Sequence, residues 1–451
     1  MANILLVNPL DLYGRVYEVV PCISLGFIGT SLKQEGFEYE IWDLKRDKIS
    51  PEEFEKKLKR KKFDMVGFYT PSPLLPSVDV YSKIVKKVHP ESVVVIGGPH
   101  AILEPEDALR RVKSIDIVCI GEGEQTIVNL MRWLEGKMLL DDICNIAFRK
   151  NGEVVKRKRE FIFELDKYPM PDWESLEPDK FPPAPVGLFS ISRKVAPTIA
   201  TRGCPFECTY CRAWVISGKT VRKRPVEQIL CELETLKSKF GIEEVHFLDD
   251  NLTIDKHFIL SLCKEIKKAN LGLVFACPNG VYLKSLDREV IEAMEKAGFY
   301  SFSVGIESGN NRVLRKLMKR HVSVEQYKEK IELIKKYSKI RITGLFILGS
   351  PGLDGERGET DKDPGTFLWS QKESEIDFGA LDNHTVVKSY CEVPTWRLRI
   401  YHSISHILFY IKPRVLFGIL SEIKSIYQIK IIFYRMLRIF FGNLKILRKL
   451  F

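Results

Sequence analysis

Short apolar segments alternate with longer amphipathic segments through roughly the first 350 residues. In the N-terminal part, the apolar segments have the length of buried strands and the amphipathic segments have the spacing of helices with one buried face. The predicted strands are 3–8, 39–43, 65–69, 93–96 and 115–120, and the predicted helices are 24–35, 51–62, 78–89 and 126–134. This alternation predicts a doubly wound parallel α/β sheet, whose ligands bind at the carboxyl ends of the strands.

The same alternation returns after a connecting region. An Asn-Gly pair at 151–152 between two apolar segments predicts a hairpin, and the prolines from 169 to 197 predict extended chain. The later predicted strands are 197–201, 244–248, 273–276, 301–304 and 340–348, with predicted helices at 226–240, 258–269, 287–297 and 324–337. We therefore expect a second α/β unit with functional loops at its own strand ends.

The pattern changes after Trp396, where apolar and aromatic runs are broken every few residues by lysine or arginine. Residues 398–451 contain ten Lys or Arg and one acid, Glu422, so this tail carries most of the net charge of +11. No stretch of about 18 uncharged apolar residues occurs, so a spanning helix is not expected. Three interpretations remain open, namely basic helices on a membrane surface, a helical cap on the second unit, and contact with nucleic acid.

Length and composition indicate a soluble protein of several domains. The chain has 451 residues, of which 45% are hydrophobic, and it begins without a basic and apolar leader segment. No signal peptide is expected, and we predict a cytoplasmic location. Seven of the ten cysteines are scattered without a regular spacing, which favours buried thiols in a reducing compartment over disulfides.

The other three cysteines lie together in the segment 201–214, TRGCPFECTYCRAW. Cys204, Cys208 and Cys211 are separated by three and by two residues. Three thiolates can hold a [4Fe–4S] cluster and leave one iron open to a small molecule. A structural zinc site and a purely electron-carrying cluster are the alternatives, but both favour a fourth cysteine or histidine, and none lies close by in the sequence.

The Cys-x3-Cys-x2-Cys spacing, with Tyr210 just before the last cysteine, resembles the signature of the radical S-adenosylmethionine (SAM) superfamily. The resemblance implies a partial (β/α)6 barrel in which the open iron chelates the amino and carboxylate groups of SAM. It also implies that one electron from the cluster cleaves a C–S bond of SAM to give a 5′-deoxyadenosyl radical. An external donor of the flavodoxin or ferredoxin type would supply that electron.

Two strand-end segments resemble SAM-contacting loops of the same superfamily. The segment FLDDNLT implies that Asp249 and Asp250 lie near the methionine end of SAM. The segment GIESG, with Gly305, Glu307 and Ser308, implies that its glutamate contacts the ribose or the amino group of SAM. A carboxylate beside such donors makes charge-assisted hydrogen bonds.

A third segment, GLFILGSPG at 344–352, resembles the strand that packs against adenine in the superfamily. The chain then departs from the family pattern Pro-Gly-Glu-Thr, because Gly352 is followed by Leu353-Asp354-Gly355-Glu356. A second match, Gly358-Glu359-Thr360, lies six residues further on. We therefore expect a longer loop than is typical.

Two turns in the N-terminal part resemble the cobalamin-binding domain that precedes many radical SAM modules. They are GGPHA at 97–101 and GEGE within IDIVCIGEGEQTI, about twenty residues later. The resemblance implies cobalamin against the strand ends, where glycines let the backbone approach a large ligand. The implied contacts are Asn8, Gly97, Gly98, Pro99, His100, Gly121, Glu122 and Gly123.

The chain lacks the family's Asp-x-His-x-x-Gly motif, whose histidine ligates cobalt. Asp11-Leu12-Tyr13-Gly14 occupies roughly that loop and contains no histidine. Two interpretations remain open: cobalamin binds without a histidine ligand on its lower face, or the domain no longer binds it. His100 also has an alternative interpretation, as a turn residue hydrogen-bonded to the backbone.

The sequence therefore predicts four regions: a cobalamin-binding domain (1–140), a linker (141–194), a radical SAM partial barrel (195–396) and a basic helical tail (397–451). The predicted function is methylation of an unactivated carbon of a hydrophobic, lipid-like substrate. One alternative is a radical cyclase or carbon–carbon coupling enzyme that does not use cobalamin as a methyl donor. Another is a membrane-attached, non-catalytic redox or cofactor sensor. Nucleic acid is not an expected partner.

Overall fold

The computed structural model describes residues 2–13, 19–182 and 190–347, together with three single residues of the tail. The loop predicted after residue 348 and the rest of the tail therefore lie outside the described residues. Residues 14–18 also lie outside them, and these include Gly14, the last residue of the Asp11–Gly14 segment. The chain divides into two compact units, Met1–Phe181 with Val215–Glu232, and Pro182–Trp214 with the chain from Leu233 onward. The finer division into four regions stays a prediction.

A seven-stranded sheet forms the centre of the first unit. Its strands are β1 Asn3–Asn8, β2 Glu38–Asp43, β3 Met65–Tyr69, β4 Val93–Gly97, β5 Ile117–Cys119, β6 Ile146–Lys150 and β7 Glu153–Lys156. Their order is β2-β1-β3-β4-β5-β6-β7, with the first five parallel and the last two antiparallel. The order of the parallel strands is that of a doubly wound sheet whose switch point lies between β1 and β3, which confirms the predicted class. The hairpin predicted at 151–152 joins β6 and β7.

Both faces of this sheet are covered by helices. They are α1 Ile23–Gln34, α2 Pro51–Leu58, α3 Leu75–Val88, α4 Pro99–Leu103, α5 Pro105–Arg111, α6 Gly123–Leu134 and the short α7 Trp173–Leu176. Successive residues of a strand point to opposite faces. Accordingly Leu5 and Val7 of β1 lie in a core cluster with side chains of α2, α3 and α5, whereas Ile4 and Leu6 lie in a second cluster with α1 and α6. This double burial explains why the inner strands are continuous apolar runs.

The second unit contains a five-stranded parallel sheet in sequential order, β8-β11-β12-β13-β14. The strands of this unit are β8 Val195–Thr198, β9 Thr201–Arg202, β11 Glu244–Phe247, β12 Val274–Val281, β13 Phe299–Glu307 and β14 Arg341–Phe346, whereas β10 Arg222–Lys223 belongs to the first unit. The remaining helices are α8 Ala213–Ile216, α9 Val226–Phe240, α10 Lys256–Ala269, α11 Arg288–Lys296 and α12 Val324–Tyr337. A helix between each pair of neighbouring strands in this sheet is the arrangement that the predicted partial barrel requires.

Buried aromatic residues pack against one another on neighbouring strands of the second sheet. The rings of Phe247, Phe275 and Phe299, on three neighbouring strands, have centroids 5.2–5.8 Å apart. A buried phenylalanine contributes about 1.5–3 kcal/mol through the hydrophobic effect, so this cluster stabilises the packing of these strands. Among the described residues, no helix combines the length and the apolarity needed to cross a membrane.

Candidate active site

The three-cysteine loop follows β9 at the carboxyl end of the second sheet. Cys208 is buried, and Cys204 and Cys211 are partly buried. The loop is held in place by Thr209, whose Oγ1 donates to the carbonyl of Leu317 (2.8 Å) and whose backbone N–H donates to Met318 (3.4 Å). The ring of Phe206 packs on Tyr282 with centroids 4.5 Å apart. These contacts fix the loop before any cofactor binds.

The chemistry of the loop fits an iron–sulfur cluster. Burial raises the pKa of the Cys204 and Cys211 thiols, and the neighbouring Asp250 carboxylate and the other cysteines raise it further. Iron binding would replace these protons, because the thiolate is the metal ligand. The backbone N–H of Ala213 already donates to Cys211 Sγ (3.4 Å). Within the described ranges no three His, Cys, Asp or Glu side chains are arranged around one metal ion; in a cluster, by contrast, each thiolate binds a different iron.

Glu307 lies at the end of β13 beside this loop. Tyr210 donates its hydroxyl to Glu307 Oε1 (2.9 Å). Burial raises the pKa of Glu307, while the Tyr210 hydrogen bond and the charge of Arg320 oppose that rise. Glu307 has φ of 59°, a conformation that costs a non-glycine residue about 1–3 kcal/mol and that recurs at active sites and ligand-binding loops. A Cβ on Gly305 would come within 2.3 Å of Glu307 Oε1, so the glycine makes room for this carboxylate. Ser308 follows directly and accepts the N–H of Asn310 at 3.2 Å.

The two predicted aspartates have different surroundings. Asp249 is buried and accepts hydrogen bonds from the N–H of Ala200 and from both the N–H and the hydroxyl of Thr201. Burial raises its pKa to about 6, and these hydrogen bonds oppose the rise. Its carboxylate therefore anchors the strand that leads into the cysteine loop. Asp250 is exposed. The neighbouring Asn251 was not predicted; it is buried, and its Oδ1 has no hydrogen-bond donor among the described residues.

Arg320 was also not predicted as a separate site residue. Its guanidinium donates to Cys208 Sγ (3.8 Å), to the carbonyl of Gly305 (2.7 Å) and to the hydroxyl of Tyr327 (3.2 Å). The only sequence signal was its position at the end of the segment that begins with GIESG. Nothing local in the sequence reveals a contact between residues 112 positions apart.

In the first unit, the predicted cobalamin residues lie at the strand ends. Asn8, the last residue of β1, donates its side-chain amide to Asp43 at the end of β2 (2.8 Å), and burial raises the pKa of Asp43. Gly98 has φ of 97°, and a Cβ there would lie 3.0 Å from the ring of Tyr69. At Gly97 a Cβ would meet only Cys119, at an ordinary 3.7 Å. Pro99 begins α4 directly after this turn.

His100 is fully buried within the first unit. Its Nδ1 lies 3.1 Å from Ser72 Oγ, and its Nε2 lies 3.9 Å from a carboxylate oxygen of Asp107. Burial lowers its pKa to about 4, with Asp107 opposing the shift. The side chain is therefore neutral at physiological pH, and the backbone N–H of His100 donates to the carbonyl of Thr70 (3.0 Å).

The Gly121–Glu122–Gly123 turn is packed against its own unit. A Cβ on Gly121 would lie 2.5 Å from the Asn145 side chain, and one on Gly123 would lie 2.9 Å from Ile28. Glu122 accepts the N–H of Ile162 (2.6 Å) and pairs with Arg222 Nη1 (2.7 Å). These two glycines are thus required by packing, and the glutamate has a charged partner in the chain itself.

Two domain families match the chain. Residues 198–363 match the radical SAM superfamily, and residues 10–131 match the B12 binding domain. Cytidylyl-2-hydroxyethylphosphonate methyltransferase of Streptomyces wedmorensis is 28% identical over 403 residues, covering 79% of this chain and 74% of the relative. The anaerobic magnesium-protoporphyrin IX monomethyl ester cyclase of Rubrivivax gelatinosus is 28% identical over 346 residues, covering 75% of this chain and 60% of the relative.

A solved structure has the same fold. The cobalamin-dependent SAM radical enzyme OxsB, with aqua-cobalamin and SAM bound, superposes with a TM-score of 0.66 at 19% identity. The match covers 79% of this chain, which spans 50% of the OxsB chain. The prediction of a [4Fe–4S] cluster, SAM and cobalamin as cofactors agrees with both matched families. The chain therefore contains a radical SAM domain, preceded in the sequence by a B12 binding domain.

Proposed function

We propose that the protein is a cobalamin-dependent radical SAM enzyme that transfers a methyl group to an unactivated carbon. The observation that carries the proposal is the linkage, within one unit, of the three-cysteine loop to Glu307 through Tyr210 and to Gly305 through Arg320. This linkage places a thiol-rich loop, an acid and a fixed cation at the carboxyl ends of parallel strands, where such folds bind ligands. The match of residues 10–131 to the B12 binding domain supports the second cofactor.

The bound cofactors would supply the chemistry, namely an electron for SAM cleavage from the cluster and a methyl carrier from cobalamin. The protein's residues bind and orient. Cys204, Cys208 and Cys211 would hold the cluster, and Glu307 would accept hydrogen bonds from hydroxyl or ammonium groups of SAM. Tyr210 keeps the Glu307 carboxylate in place through its hydroxyl. Partial burial of these groups limits access of water to reactive intermediates.

The direct test is an anaerobic reaction of reconstituted protein with SAM that carries a labelled methyl group. Lipid and small-molecule extracts would serve as substrate sources, with an external flavodoxin- or ferredoxin-type electron donor. Methylation predicts 5′-deoxyadenosine together with label in the product. Label found only in SAM and in the products of its own breakdown would contradict methyl transfer.

Cyclisation is the second candidate, since the cyclase relative is also 28% identical to this chain, over 346 residues against 403 for the methyltransferase relative. The two are separated by product mass, because a cyclised product gains no labelled methyl group. The named substrates of these two relatives differ in chemistry, so neither is carried over to this chain.

Cobalamin binding makes a specific prediction at Gly97. Gly98→Val would be strained whatever the ligand, because Gly98 has φ of 97° and lies close to Tyr69. At Gly97 an added Cβ makes only an ordinary 3.7 Å contact with Cys119 among the described residues, so a substitution there tests ligand contact more directly. We expect Gly97→Val to melt within a few degrees of wild type yet to lose cobalamin at least about tenfold, through steric contact with the ligand. Cobalamin absorbance after anaerobic reconstitution and gel filtration measures this.

The matched control is Gly67→Ala, in the interior of β3, where a Cβ would meet the flexible end of Leu6 at 3.3 Å. It should retain cobalamin. Full cobalamin retention by Gly97→Val would remove Gly97 from the site, and no retention by the wild-type protein would favour the reaction without a cobalamin methyl donor.

The hydrophobic substrate rests on the tail, which lies outside the described residues. Each basic residue near an anionic bilayer contributes roughly 1 kcal/mol to attraction, and apolar side chains add to it. We expect full-length protein to sediment with anionic vesicles at least about tenfold better than a variant with five tail cations replaced by glutamine. These are Arg435, Arg438, Lys445, Arg448 and Lys449.

Neutral phosphatidylcholine vesicles provide the control, and should capture neither protein well. Equal capture of both proteins by anionic vesicles would show that the tail cations do not dock on membranes. That result would favour the helical cap and weaken the lipid-like substrate.

A further inference from the structure

Arg320 is a partly buried cation with an unusual set of partners. Its guanidinium contacts a cysteine sulfur, a backbone carbonyl and a tyrosine hydroxyl. Its Nε is buried without a hydrogen-bond partner among the described residues. Tyr327 also donates to the Gly305 carbonyl (3.0 Å), so the arginine and the tyrosine converge on one backbone oxygen.

Within the described residues, Arg320 has no carboxylate at ion-pair distance. The second unit does contain such pairs, including Lys256 with Asp287 at 2.6 Å. Glu307 lies near enough for the charge of Arg320 to lower its pKa, but it does not pair directly with the guanidinium. A partly buried cation is costly unless an anion pairs with it, so a negative group at hydrogen-bond distance would stabilise Arg320. The sulfur at 3.8 Å belongs to Cys208, which becomes an anion when it ligates iron.

We propose that Arg320 is a positioning residue that donates to the Cys208 thiolate and raises the reduction potential of the cluster. This inference rests on the proposed function, since it presumes that the three cysteines hold a cluster. The negative group that would stabilise Arg320 is then the cluster's own thiolate, and the arginine is its counter-charge.

The direction of the effect follows from electrostatics. Reduction adds one electron to the cluster, and a fixed positive charge next to a ligand sulfur stabilises the reduced form. Hydrogen bonds to cluster sulfurs and net charge are the established means by which proteins set such potentials. Partial burial strengthens the interaction, because solvent screens it less than at the surface.

The geometry calls for arginine rather than lysine. Two nitrogens of the planar guanidinium reach Cys208, Gly305 and Tyr327 together. A lysine ammonium is a single point charge and cannot hold three separated acceptors in this way. Because Gly305 precedes Glu307 by two residues, the same side chain also ties the cysteine loop to the strand end that presents the acid.

The experiment compares Arg320→Gln, Arg320→Lys and wild type, each reconstituted anaerobically as the full chain. Arg315→Gln is the matched control. Arg315 lies five residues before Arg320 and is exposed, and its replacement changes the net charge by the same amount. Iron and sulfide content, circular dichroism, and a potentiometric titration of the cluster followed by electron paramagnetic resonance are the readouts. None of them depends on turnover.

We expect Arg320→Gln to fold and to lower the ratio of reduced to oxidised cluster at a fixed potential by about tenfold, which is about 59 mV for a one-electron couple. Arg320→Lys should recover part of the loss, and Arg315→Gln should match wild type. A wild-type potential in Arg320→Gln with four irons bound would overturn the proposal.

If Arg320→Gln folds but loses the cluster, Arg320→Lys decides. If the lysine variant retains the cluster, the result supports the role of charge. If both variants lose the cluster, only the shape of arginine matters, and the proposal is overturned. If neither variant folds, the Arg212→Lys protein with its arginines labelled with 15N takes their place, because Arg212 directly follows Cys211 and could itself couple to the cluster. An arginine nitrogen coupled magnetically to the reduced cluster supports the contact, and its absence overturns it. Absence of iron from the wild-type protein would instead overturn the proposed function itself.

Discussion

Each of the single variants Cys204→Ala, Cys208→Ala and Cys211→Ala is expected to lose a cluster of about four irons. Three thiolates are the fewest that hold such a cluster while leaving one iron open, so no cysteine in the loop is dispensable. Cys208 should show the most complete loss, because it is buried and receives the Arg320 hydrogen bond. Iron and sulfide analysis with visible absorbance after anaerobic reconstitution measures the outcome.

Cys231→Ser is the matched control, since Cys231 is an exposed cysteine outside the loop. It should keep the full iron content. Far-ultraviolet circular dichroism separates loss of the cluster from loss of the fold. Normal iron content in any of the three loop variants would remove that cysteine from the ligand set and with it the radical SAM assignment of the loop.

The second large effect concerns the ion pair of Glu122 and Arg222 in the first unit. Their side chains are 9% and 3% exposed, and Arg222 also donates to the carbonyls of Ile162 and Ser217. Arg222→Met would remove the cation that pairs directly with the buried Glu122 carboxylate, and breaking a buried pair typically costs about 3–5 kcal/mol. For a unit of this size that corresponds to a fall in melting temperature on the order of 10 °C.

The control is Arg132→Met, which breaks an ion pair with Glu35 whose side chains are 38% and 43% exposed. Solvent screening should hold its cost to about 1 kcal/mol or less. The double variant Arg222→Met with Glu122→Leu should recover part of the stability, because it removes the negative charge of Glu122 as well. Equal urea denaturation of Arg222→Met and Arg132→Met would show that the buried pair is not a stabilising contact.

The predictable parts of this protein are those encoded over short stretches of chain. The apolar runs at 3–8 and 65–69 predicted inner strands because residues on both faces of the sheet are buried. The Asn-Gly pair predicted its hairpin because both residues adopt positive φ, 54° and 85°. The spacing of the three cysteines identified the loop that the fold places at a sheet edge.

The features that escaped prediction join distant parts of the chain. Arg320 meets Cys208 across 112 positions, and Glu122 meets Arg222 across 100, and no periodicity reports such pairs. A sequence also does not reveal which side of a strand-end turn a residue occupies. His100 and Asp249 both follow strands, yet both are buried and hydrogen-bonded to neighbouring protein groups.

The central claim is that a cluster held by the three-cysteine loop supplies the electron for reductive cleavage of SAM. Its most direct test is mass spectrometry of 5′-deoxyadenosine after anaerobic incubation of reconstituted protein with SAM and a strong one-electron reductant. The expected result is 5′-deoxyadenosine from the wild-type protein and from Cys231→Ser, with none above background from Cys208→Ala. Wild-type protein that holds four irons and leaves SAM intact, or equal product from Cys208→Ala, would contradict it.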